Sequence, residues 1–421
     1  MSAAGTLIVG AGQAGLQIAM SMRSLGYTAP ITMLGAESYE PYQRPPLSKG
    51  VLKGSASTRS LTLRSATFLS DNGITVRRPF RVDAITLHAG PVAESTGGIA
   101  CSRAGEEVAF DRLALATGAR PRKLQVPGSE LRGLHYLRSL DDAVALGNSL
   151  TAARNVVVVG GGFIGLEVAA VARANGKVVT VVEGAPRLMS RAVAPVVSDF
   201  YLDAHTRRGT HVRLGASVAA FAGTHGDVTA VELADGSSVP ADLVVVGVGV
   251  EPRTEIAEQL GLTCAGGIVV DEFARTSVEA VVAAGDCTVL PNPMTGGERV
   301  RLESVQNAID QAKCAAATLL GQPSPYRDVP WFWSDQDNLK LQIAGLSAGY
   351  DHAVVRGDPA TESFSVLYYR DDRLIAIDAV NQPRDYMAVR RALTNGHNIP
   401  ADASSTPTAL ADLVVPVGAT R

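Results

Sequence analysis

Two glycine-rich turns constrain this chain more than any other feature of its sequence. Each follows an apolar run with strand character, Thr6 to Val9 and Val156 to Val159, and each opens an alanine-rich stretch with helical spacing. The glycines of the two G-x-G-x-x-G patterns are Gly10, Gly12, Gly15, Gly160, Gly162 and Gly165. A strand, a glycine turn and a helix in this order can cradle a dinucleotide pyrophosphate, because glycine allows close backbone approach and the helix N-terminus offers free N–H groups. The sequence therefore predicts two Rossmann-like dinucleotide-binding domains in an α/β protein.

An acidic residue follows each fingerprint near the expected spacing of about 20 residues, just beyond a second apolar strand. These residues are Glu37 and Glu183. A carboxylate at this place accepts a hydrogen bond from a ribose 2′-hydroxyl and repels a 2′-phosphate, so Glu183 favours NADH over NADPH. Arg187 and Arg191 follow closely, and whether they soften that preference stays open at this point.

Composition excludes several other classes of protein. The net charge is −3 and the basic residues are scattered, so no nucleic-acid partner is expected. Four cysteines lie far apart without metal-type spacing, which argues against a metal site, an iron–sulfur cluster or a redox-active dithiol; they are Cys101, Cys264, Cys287 and Cys314. No membrane span or targeting segment is recognised, and the cytoplasm is the expected location.

The order of apolar runs and turns predicts a domain plan. A third buried strand from Ala280 to Ala284 ends at Gly285-Asp286, and a helix follows from Ser304 to Leu320. Beyond Trp331 the residue pattern changes. Two alternating runs, Ser363 to Tyr369 and Arg373 to Val380, predict a hairpin, and a helix follows. We predict a first nucleotide domain from 1–118 and 248–326, a second from 119–247, and a small C-terminal α+β domain from 327–421.

Several longer motifs carry a family resemblance. The chain resembles the pyridine nucleotide oxidoreductases that use FAD and NAD(P)H and have the glutathione-reductase-type fold. Within them it is most similar to the ferredoxin reductases of bacterial oxygenase systems, the putidaredoxin-reductase-like group. Besides the glycine turns, the motifs are Pro41 to Lys49 (PYQRPPLSK), Leu115 to Gly118 (LATG), Gly285-Asp286, Glu303-Ser304-Val305 and Pro330 to Gln336 (PWFWSDQ).

The resemblance implies how the two cofactors are held. Gly10, Gly12 and Gly15 would cradle the FAD pyrophosphate, Glu37 would bond the adenosine ribose, and Asp286 would hold the ribityl chain, although Asp286 could also be a helix N-cap. The second fingerprint and Glu183 would hold NADH. The other positions assigned to cofactor binding are Ala14, Arg44, Pro45, Lys49, Val82, Ala116, Thr117, Gly118, Arg138, Phe163, Ile164, Arg191, Gly249, Gly285, Glu303, Ser304, Val305 and Trp333.

Three residues are candidates for a direct role in the chemistry. The resemblance implies that Lys49 and Glu167 approach one another near the flavin, where Lys49 would stabilise the negative charge of the reduced ring. The alternative is a purely structural ion pair. Trp333 would lie beside the flavin ring and shield it, or it is a core aromatic like its neighbours Trp331 and Phe332, which we assign to the core.

The absence of a cysteine pair near the first fingerprint indicates the electron acceptor. Without a thiol relay, the flavin must hand electrons to an external acceptor, and the resemblance implies a [2Fe–2S] ferredoxin. Alternatives are a rubredoxin, a quinone or small radicals, or an NADH-sensing binding protein like apoptosis-inducing factor. Basic residues that could attract an acidic ferredoxin, or be ordinary surface charges, are Lys53, Arg59, Arg64, Arg301, Lys340, Arg390 and Arg391. The oligomeric state is left open.

Overall fold

The computed structural model describes residues 4–88 and 97–416, which form two compact units. Each unit is assembled from separated stretches of the chain. The first unit comprises Met1–Gln43, Leu61–Arg120 and Glu251–Pro330. The second unit comprises Arg44–Ser60, Pro121–Val250 and Trp331–Arg421.

The strands of the described residues are numbered in chain order. They are β1 Thr6–Val9, β2 Ile31–Leu34, β3 Ile74–Arg77, β4 Val82–Leu87, β5 Gly98–Ser102, β6 Glu107–Phe110, β7 Arg112–Leu115, β8 Ala119–Pro121, β9 Leu134–Tyr136, β10 Asn155–Val159, β11 Val178–Glu183, β12 Thr210–Leu214, β13 Val218–Thr224, β14 Asp227–Leu233, β15 Ser238–Pro240, β16 Leu243–Val246, β17 Val250–Pro252, β18 Ile268–Val269, β19 Val281–Ala283, β20 Thr288–Pro291, β21 Arg299–Val300, β22 Trp331–Gln336, β23 Leu339–Gly345, β24 His352–Asp358, β25 Ser363–Arg370, β26 Arg373–Val380, β27 His397–Asn398 and β28 Val415–Pro416.

The α-helices are numbered in the same way, and short 3₁₀ turns are given by their residues. The α-helices are α1 Gln13–Ser24, α2 Ala66–Asp71, α3 Leu140–Ala152, α4 Phe163–Ala174, α5 Pro195–Arg207, α6 Glu255–Gln259, α7 Val305–Leu319, α8 Pro383–Thr394 and α9 Ala401–Ser404. The 3₁₀ turns are Pro45–Ser48, Thr58–Leu61, Pro293–Thr295, Pro359–Thr361 and Leu410–Leu413.

A five-stranded parallel sheet forms the centre of the first unit. Its strand order is β19-β7-β1-β2-β3, and its strands are continuous apolar runs because both faces are covered. The register pairs Val9 with Leu34 and with Leu115, and Leu115 with Ala283. Four strands therefore end level with one another, at the edge of the sheet where α/β proteins bind their ligands. Helices α1 and α7 pack against each other in this unit.

A second parallel sheet, of order β12-β11-β10-β16-β9, lies in the second unit. Its central strand β10 pairs with β11 and β16, and Val159 lies opposite both Val182 and Val246. A small antiparallel sheet, β13-β14-β15, completes this part of the unit. Helix α3 begins with a capping box between Ser139 and Asp142, which satisfies orphan N–H groups at its start.

The C-terminal part of the second unit is a five-stranded antiparallel sheet. Its order is β22-β23-β26-β25-β24, and α8 packs on it. The predicted hairpin is confirmed, since β25 and β26 pair along their length around the turn at 371–372. Strand β22 lies at the edge of this sheet, so its side chains have neighbours from only one adjacent strand.

Candidate functional site

The first glycine fingerprint lies where β1 ends and α1 begins. Gly12 is the N-cap of α1, and a methyl group added there would meet no atom within 4 Å. By contrast, a Cβ at Gly10 would lie 2.0 Å from the carbonyl oxygen of Ala116, and one at Gly15 would lie 1.9 Å from that of Gly10. The tight turn therefore requires Gly10 and Gly15, whereas the space over Gly12 is open at a helix N-terminus. This cradle fits a pyrophosphate group.

Residues predicted for FAD gather at the same edge of the sheet. Glu37 follows β2, and its Oε2 accepts a hydrogen bond of 2.5 Å from the hydroxyl of Tyr42. Gly285 and Asp286 follow β19, and a Cβ at Gly285 would lie 3.1 Å from the Cβ of Ala14 on α1. The turn after β19 therefore lies directly against the first turn of the fingerprint helix.

The other positions predicted for FAD in the first unit also have defined contacts. The hydroxyl of Thr117 donates to the carbonyl of Arg253, and the carbonyl of Gly118 accepts from the N–H of the same Arg253. Glu303 accepts from Arg301 at 2.8 Å. Ser304 is the N-cap of α7, which begins at Val305. Ala116 is buried and Val82 begins β4.

The second fingerprint repeats the geometry of the first. A Cβ at Gly160 would lie 2.5 Å from the carbonyl oxygen of Gly247, and one at Gly165 would lie 2.1 Å from that of Gly160. Gly162 is the N-cap of α4, and a methyl group there would meet no atom within 4 Å. Ile164, in the first turn of α4, is 44% exposed. The second unit therefore carries an open helix N-terminus of the kind that binds a second dinucleotide.

Glu183 ends β11, and both of its carboxylate oxygens are held by backbone N–H groups. Oε2 accepts from Gly161 at 2.6 Å and Oε1 accepts from Ala185 at 2.7 Å. The carboxylate is thereby fixed against the second fingerprint, which is the position that the sequence predicted for binding the NADH ribose. An anion held here disfavours a 2′-phosphate.

The basic residues after Glu183 are arranged differently from one another. The guanidinium of Arg187 donates to the carbonyls of Ser190 and Val193 and to the hydroxyl of Ser198, at 2.6, 2.6 and 2.8 Å. Its donors hold its own loop together and do not extend toward a ligand. Arg191 is exposed, and its Nη2 lies 3.6 Å from the position of a Cβ at Gly249. Of the two arginines that could soften the preference for NADH, only Arg191 is therefore left as a candidate.

We predict that the double variant Glu183→Gln, Gly184→Arg shifts the coenzyme preference toward NADPH. The substitution removes the anion, and an arginine fits at the exposed Gly184, where the nearest atom to a Cβ is Ser217 Oγ at 3.9 Å. The ratio of kcat/KM for NADPH to that for NADH should rise about 10-fold or more, equivalent to about 1.4 kcal/mol. Gly184→Arg alone is the control. An unchanged ratio in the double variant would show that Glu183 does not lie at the ribose.

Lys49 and Glu167 form a buried ion pair within the second unit. Lys49 Nζ lies 2.8 Å from Glu167 Oε2, and the Glu167 side chain is 1% exposed. Two hydroxyls also donate to this carboxylate, Ser48 at 2.5 Å and Ser334 at 2.7 Å. The motif at 41–49, helix α4 and strand β22 each supply one part of the cluster. A carboxylate so deeply buried requires these partners, because desolvation alone costs several kcal/mol.

The cluster continues into a chain of hydrogen bonds. Gln336 Nε2 donates to Ser334 Oγ at 3.3 Å, and Gln336 Oε1 lies 2.8 Å from Nε2 of His205 on α5. Burial lowers the pKa of His205, so its neutral ring donates from Nε2 to this amide oxygen. His205 therefore donates to Gln336, Gln336 donates to Ser334, and Ser334 donates to Glu167.

The aromatic motif on β22 alternates between two surroundings, as expected for a strand. Phe332 contacts Phe163 of α4 with ring centroids 4.7 Å apart, on the side where Ser334 meets Glu167. Trp331 and Trp333 share the other side, with ring centroids 5.8 Å apart.

The prediction that Trp331 and Phe332 belong to the core needs correction. Both are only partly buried, like Trp333, although Trp331 packs against the apolar cluster of the C-terminal sheet. The guanidinium of Arg390 also lies 4.5 Å from the centre of the Trp331 ring.

The remaining predicted residues have the following surroundings. Arg44 donates to the carbonyl of Arg138 at 2.6 Å, and Pro45 begins a 3₁₀ turn. Among the basic residues considered for partner attraction, Arg301 is paired with Glu303 and Arg390 covers the Trp331 ring. The exposed ones are Lys53, Arg59, Arg64, Lys340 and Arg391.

Sequence reasoning missed several groups that the structure places in these clusters. Ser48, Ser334 and Gln336 lay inside the motifs given above but were assigned no role. His205 was not considered. The only available signal was adjacency, since Ser48 precedes Lys49 and Ser334 follows Trp333. Within residues 4–88 and 97–416, no group of His, Cys, Asp and Glu side chains could hold a metal ion. In the same ranges, no helix has both the length and the apolar character needed to cross a membrane.

Comparison with known families gives two matches that cover most of the chain. Residues 5–312 match the family described as pyridine nucleotide-disulphide oxidoreductase, and residues 331–414 match the family described as reductase C-terminal. The chain is 46% identical to rhodocoxin reductase of Rhodococcus erythropolis over 92% of this chain and 88% of that protein. It is 39% identical to a rubredoxin-NAD(+) reductase of Pseudomonas putida over 90% of this chain and 96% of that protein.

Solved structures show the same likeness along the whole chain. The ferredoxin reductase for the CYP199A2 system of Rhodopseudomonas palustris is 42% identical, with a TM-score of 0.89 and coverage of 96% and 97% of the two chains. A covalent putidaredoxin reductase–putidaredoxin complex matches at 37% identity and a TM-score of 0.90, over 96% of each chain. These matches confirm the resemblance and the fold class predicted from the sequence. The chain belongs to the pyridine nucleotide-disulphide oxidoreductase family, and its cofactors are FAD and NAD(H).

Proposed function

We propose that this chain is an NADH-dependent ferredoxin reductase that supplies electrons to a bacterial monooxygenase or Rieske dioxygenase. FAD supplies the essential chemistry, since it accepts a hydride from NADH and can release the electrons one at a time. The observation that carries the proposal is the pair of open helix N-termini at Gly12 and Gly162, one for each dinucleotide. Relatives that are named ferredoxin reductases, and the solved putidaredoxin reductase–putidaredoxin complex, support the choice of acceptor.

The cysteines support an external acceptor. All four are free thiols, and burial raises the pKa of Cys287 and Cys314, which makes thiolate chemistry at these two less favourable. Electrons therefore have no thiol relay in this chain and leave for a separate protein. Free thiols are typical of a reducing compartment, and we propose that the protein works in the cytoplasm, where NADH is available.

Residue roles follow from the two nucleotide sites. We assign 1–118 with 248–326 to FAD, 119–247 to NADH and 327–421 to the C-terminal domain. Glu183 orients the ribose of NADH, and the helix N-terminus at Gly162 binds the pyrophosphate. When FAD is bound, Lys49 would stabilise negative charge on the flavin, and Glu167 fixes the Lys49 ammonium group in place. Trp333 would help to hold and shield the flavin.

The test is the anaerobic rate at which NADH reduces a [2Fe–2S] ferredoxin through this protein, with a rubredoxin and a quinone run in parallel. Fast reduction of the ferredoxin and slow reduction of the other two would support the proposal. Rapid flavin reduction followed by preferred transfer to rubredoxin would favour the second candidate, which the 39% identical rubredoxin reductase suggests. Slow turnover with all three acceptors would contradict a reductase function and favour an NADH sensor.

Salt dependence tests the role of the exposed basic residues. If Lys53, Arg59, Arg64, Lys340 and Arg391 attract an acidic ferredoxin, its reduction rate should fall steeply as ionic strength rises. Flavin reduction by NADH serves as the control because it does not involve the ferredoxin. A ferredoxin rate independent of salt would remove these residues from the docking proposal.

A further inference from the structure

Gln311 is a fully buried amide on α7 whose oxygen holds the turn after β19. Its side chain is 1% exposed, and Oε1 accepts from the backbone N–H of Gly285 at 2.8 Å and from the hydroxyl of Thr288 at 2.9 Å. The backbone N–H of Gly285 is buried, so this bond satisfies a donor that would otherwise be unpaired. Gln311 thus fixes the backbone at the residue immediately before Asp286.

The turn that Gln311 holds is tightly packed, so its backbone tolerates little displacement. Gly285 has a φ of +88°, and its Cα faces the first turn of α1, with a space so narrow that a Cβ would lie 3.1 Å from that of Ala14. A small shift of this turn would move Asp286 relative to the first fingerprint. The amide on α7 is therefore one of the contacts that hold the backbone before this carboxylate, together with the bonds from Thr288 to the carbonyl of Gly285.

Asn307, one turn earlier on α7, acts on a second segment predicted for FAD. Its Nδ2 donates to the carbonyl of Leu302 at 3.0 Å, and its backbone N–H is capped by Ser304. Residues 307 and 311 are four apart and share one face of the helix. Helix α7 thus ties the segment at 302–304 and the turn at 285–288 to one rigid element.

The side-chain amides of Gln311 and Asn307 each carry a free-energy cost in the folded protein. Gln311 Nε2 and Asn307 Oδ1 are both buried and have no hydrogen-bond partner among the described residues. Each unpaired polar atom costs about 1–3 kcal/mol. An apolar side chain would avoid that cost if packing between α7 and the sheet were its only task, so the amide oxygen of Gln311 serves another purpose.

We propose that Gln311 is a positioning residue of the flavin site, which holds the Gly285–Asp286 turn so that the Asp286 carboxylate meets the ribityl hydroxyls of FAD. This inference rests on the proposed assignment of Asp286 to FAD. Gln311 itself lies behind the backbone and acts only through the turn.

The test is the dissociation constant of FAD, measured by flavin fluorescence with apoprotein of the full chain. Gln311→Met, which keeps the volume and removes the acceptor, should weaken FAD binding about 10-fold or more. Gln311→Glu keeps an acceptor oxygen, and because burial favours the protonated carboxyl group, which is neutral like the amide, it should bind FAD within about 3-fold of the wild type. Thr288→Val is the comparison variant, since it leaves the bond to the N–H of Gly285 and removes one of the two other donors to Oε1, the second being Asn307 Nδ2 at 3.4 Å. It also removes the contact of the same hydroxyl with the carbonyl of Gly285, and it should stay within about 3-fold. A 10-fold and a 3-fold change in the dissociation constant correspond to about 1.4 and 0.65 kcal/mol of binding free energy.

The melting temperature of the apoprotein separates positioning from simple stabilisation. If Gln311→Met lowers that temperature but leaves the FAD dissociation constant unchanged, the residue is structural and the inference is overturned. It is also overturned if Gln311→Glu loses FAD as severely as Gln311→Met. Should Gln311→Met fail to fold, Gln311→Asn, which is too short to reach Gly285, carries the same expectation.

Asp286→Ala distinguishes failure of this inference from failure of the site assignment. If Asp286→Ala binds FAD as tightly as the wild type, the assignment of Asp286 is wrong and the inference falls with it. If Asp286→Ala weakens FAD binding and the Gln311 variants do not, only the inference is wrong. Wild-type protein that binds no FAD would instead contradict the proposed function.

Discussion

Replacing Lys49 by methionine is expected to destabilise the protein and to slow flavin reduction by NADH. Glu167 would remain in a site that is 1% exposed, with two hydroxyl donors and no cation. Removing one partner of a buried ion pair costs about 3–5 kcal/mol, because an uncompensated charge is left behind. The stability loss is measured by urea unfolding near neutral pH. We also expect the rate of flavin reduction, measured by anaerobic stopped flow, to fall about 100-fold because a positive charge beside the developing anion is lost.

The double variant Lys49→Met, Glu167→Gln separates the two effects. Glutamine is neutral and can still hydrogen-bond to Ser48 and Ser334, so most of the lost stability should return. The slow flavin reduction should persist, because the ammonium group is still missing. If either variant reduces its flavin at the wild-type rate, the pair is a structural ion pair and Lys49 has no role in the chemistry.

Two alanine substitutions in the second fingerprint are each expected to weaken NADH binding, by two different routes. The Cβ of Gly165→Ala would lie 2.1 Å from the carbonyl oxygen of Gly160, so the turn must shift and the unit loses stability. The Cβ of Gly162→Ala meets no atom within 4 Å. That variant should fold normally, and its methyl group then occupies the space where the pyrophosphate approaches the helix N-terminus.

The measurements are the melting temperature and the NADH dissociation constant of the FAD-loaded protein. We expect Gly165→Ala to lower the melting temperature and to weaken NADH binding about 100-fold or more, and Gly162→Ala to weaken binding about 10-fold with little change in melting temperature. Gly147→Ala is the matched control, because its Cβ would meet only Leu52 Cδ2, at 3.9 Å. Normal NADH binding by Gly162→Ala would show that the coenzyme lies elsewhere.

Local sequence patterns were sufficient for the elements that frame the two nucleotide sites. Strand β1 coincides with the predicted run from Thr6 to Val9, and β26 with the predicted run from Arg373 to Val380. The glycine spacing predicted both cradles, because Gly15 and Gly165 each lie against the carbonyl of the first glycine of the same turn. Such information is contained in short stretches of sequence, where apolar periodicity and turn residues reflect the backbone directly.

The partners of the buried polar groups could not be predicted in the same way. Ser48 and Ser334 reach Glu167 from 119 and 167 residues away along the chain. Arg187 could be recognised as a basic residue near Glu183. Its hydrogen bonds to the loop at 190–198 could not be predicted, because they depend on the directions of backbone carbonyls, which no sequence pattern encodes. The burial of Trp331 and Phe332 was overestimated because an aromatic run does not reveal how far neighbouring elements cover each ring.

The strand order of the first sheet has a consequence for synthesis on the ribosome. Strand β7 lies between β1 and β19, yet β19 is made only after the sheet of the second unit has been translated. At a translation rate of about 5–20 residues per second, β19 is synthesised roughly 8 to 34 seconds after β7, and until then this edge of β7 has no partner strand. Leu113 and Leu115 on this edge are fully buried in the finished protein. Nascent chains that stop short of Val281 therefore present an apolar, unpaired strand, which is the form of a sheet most prone to pair with another chain.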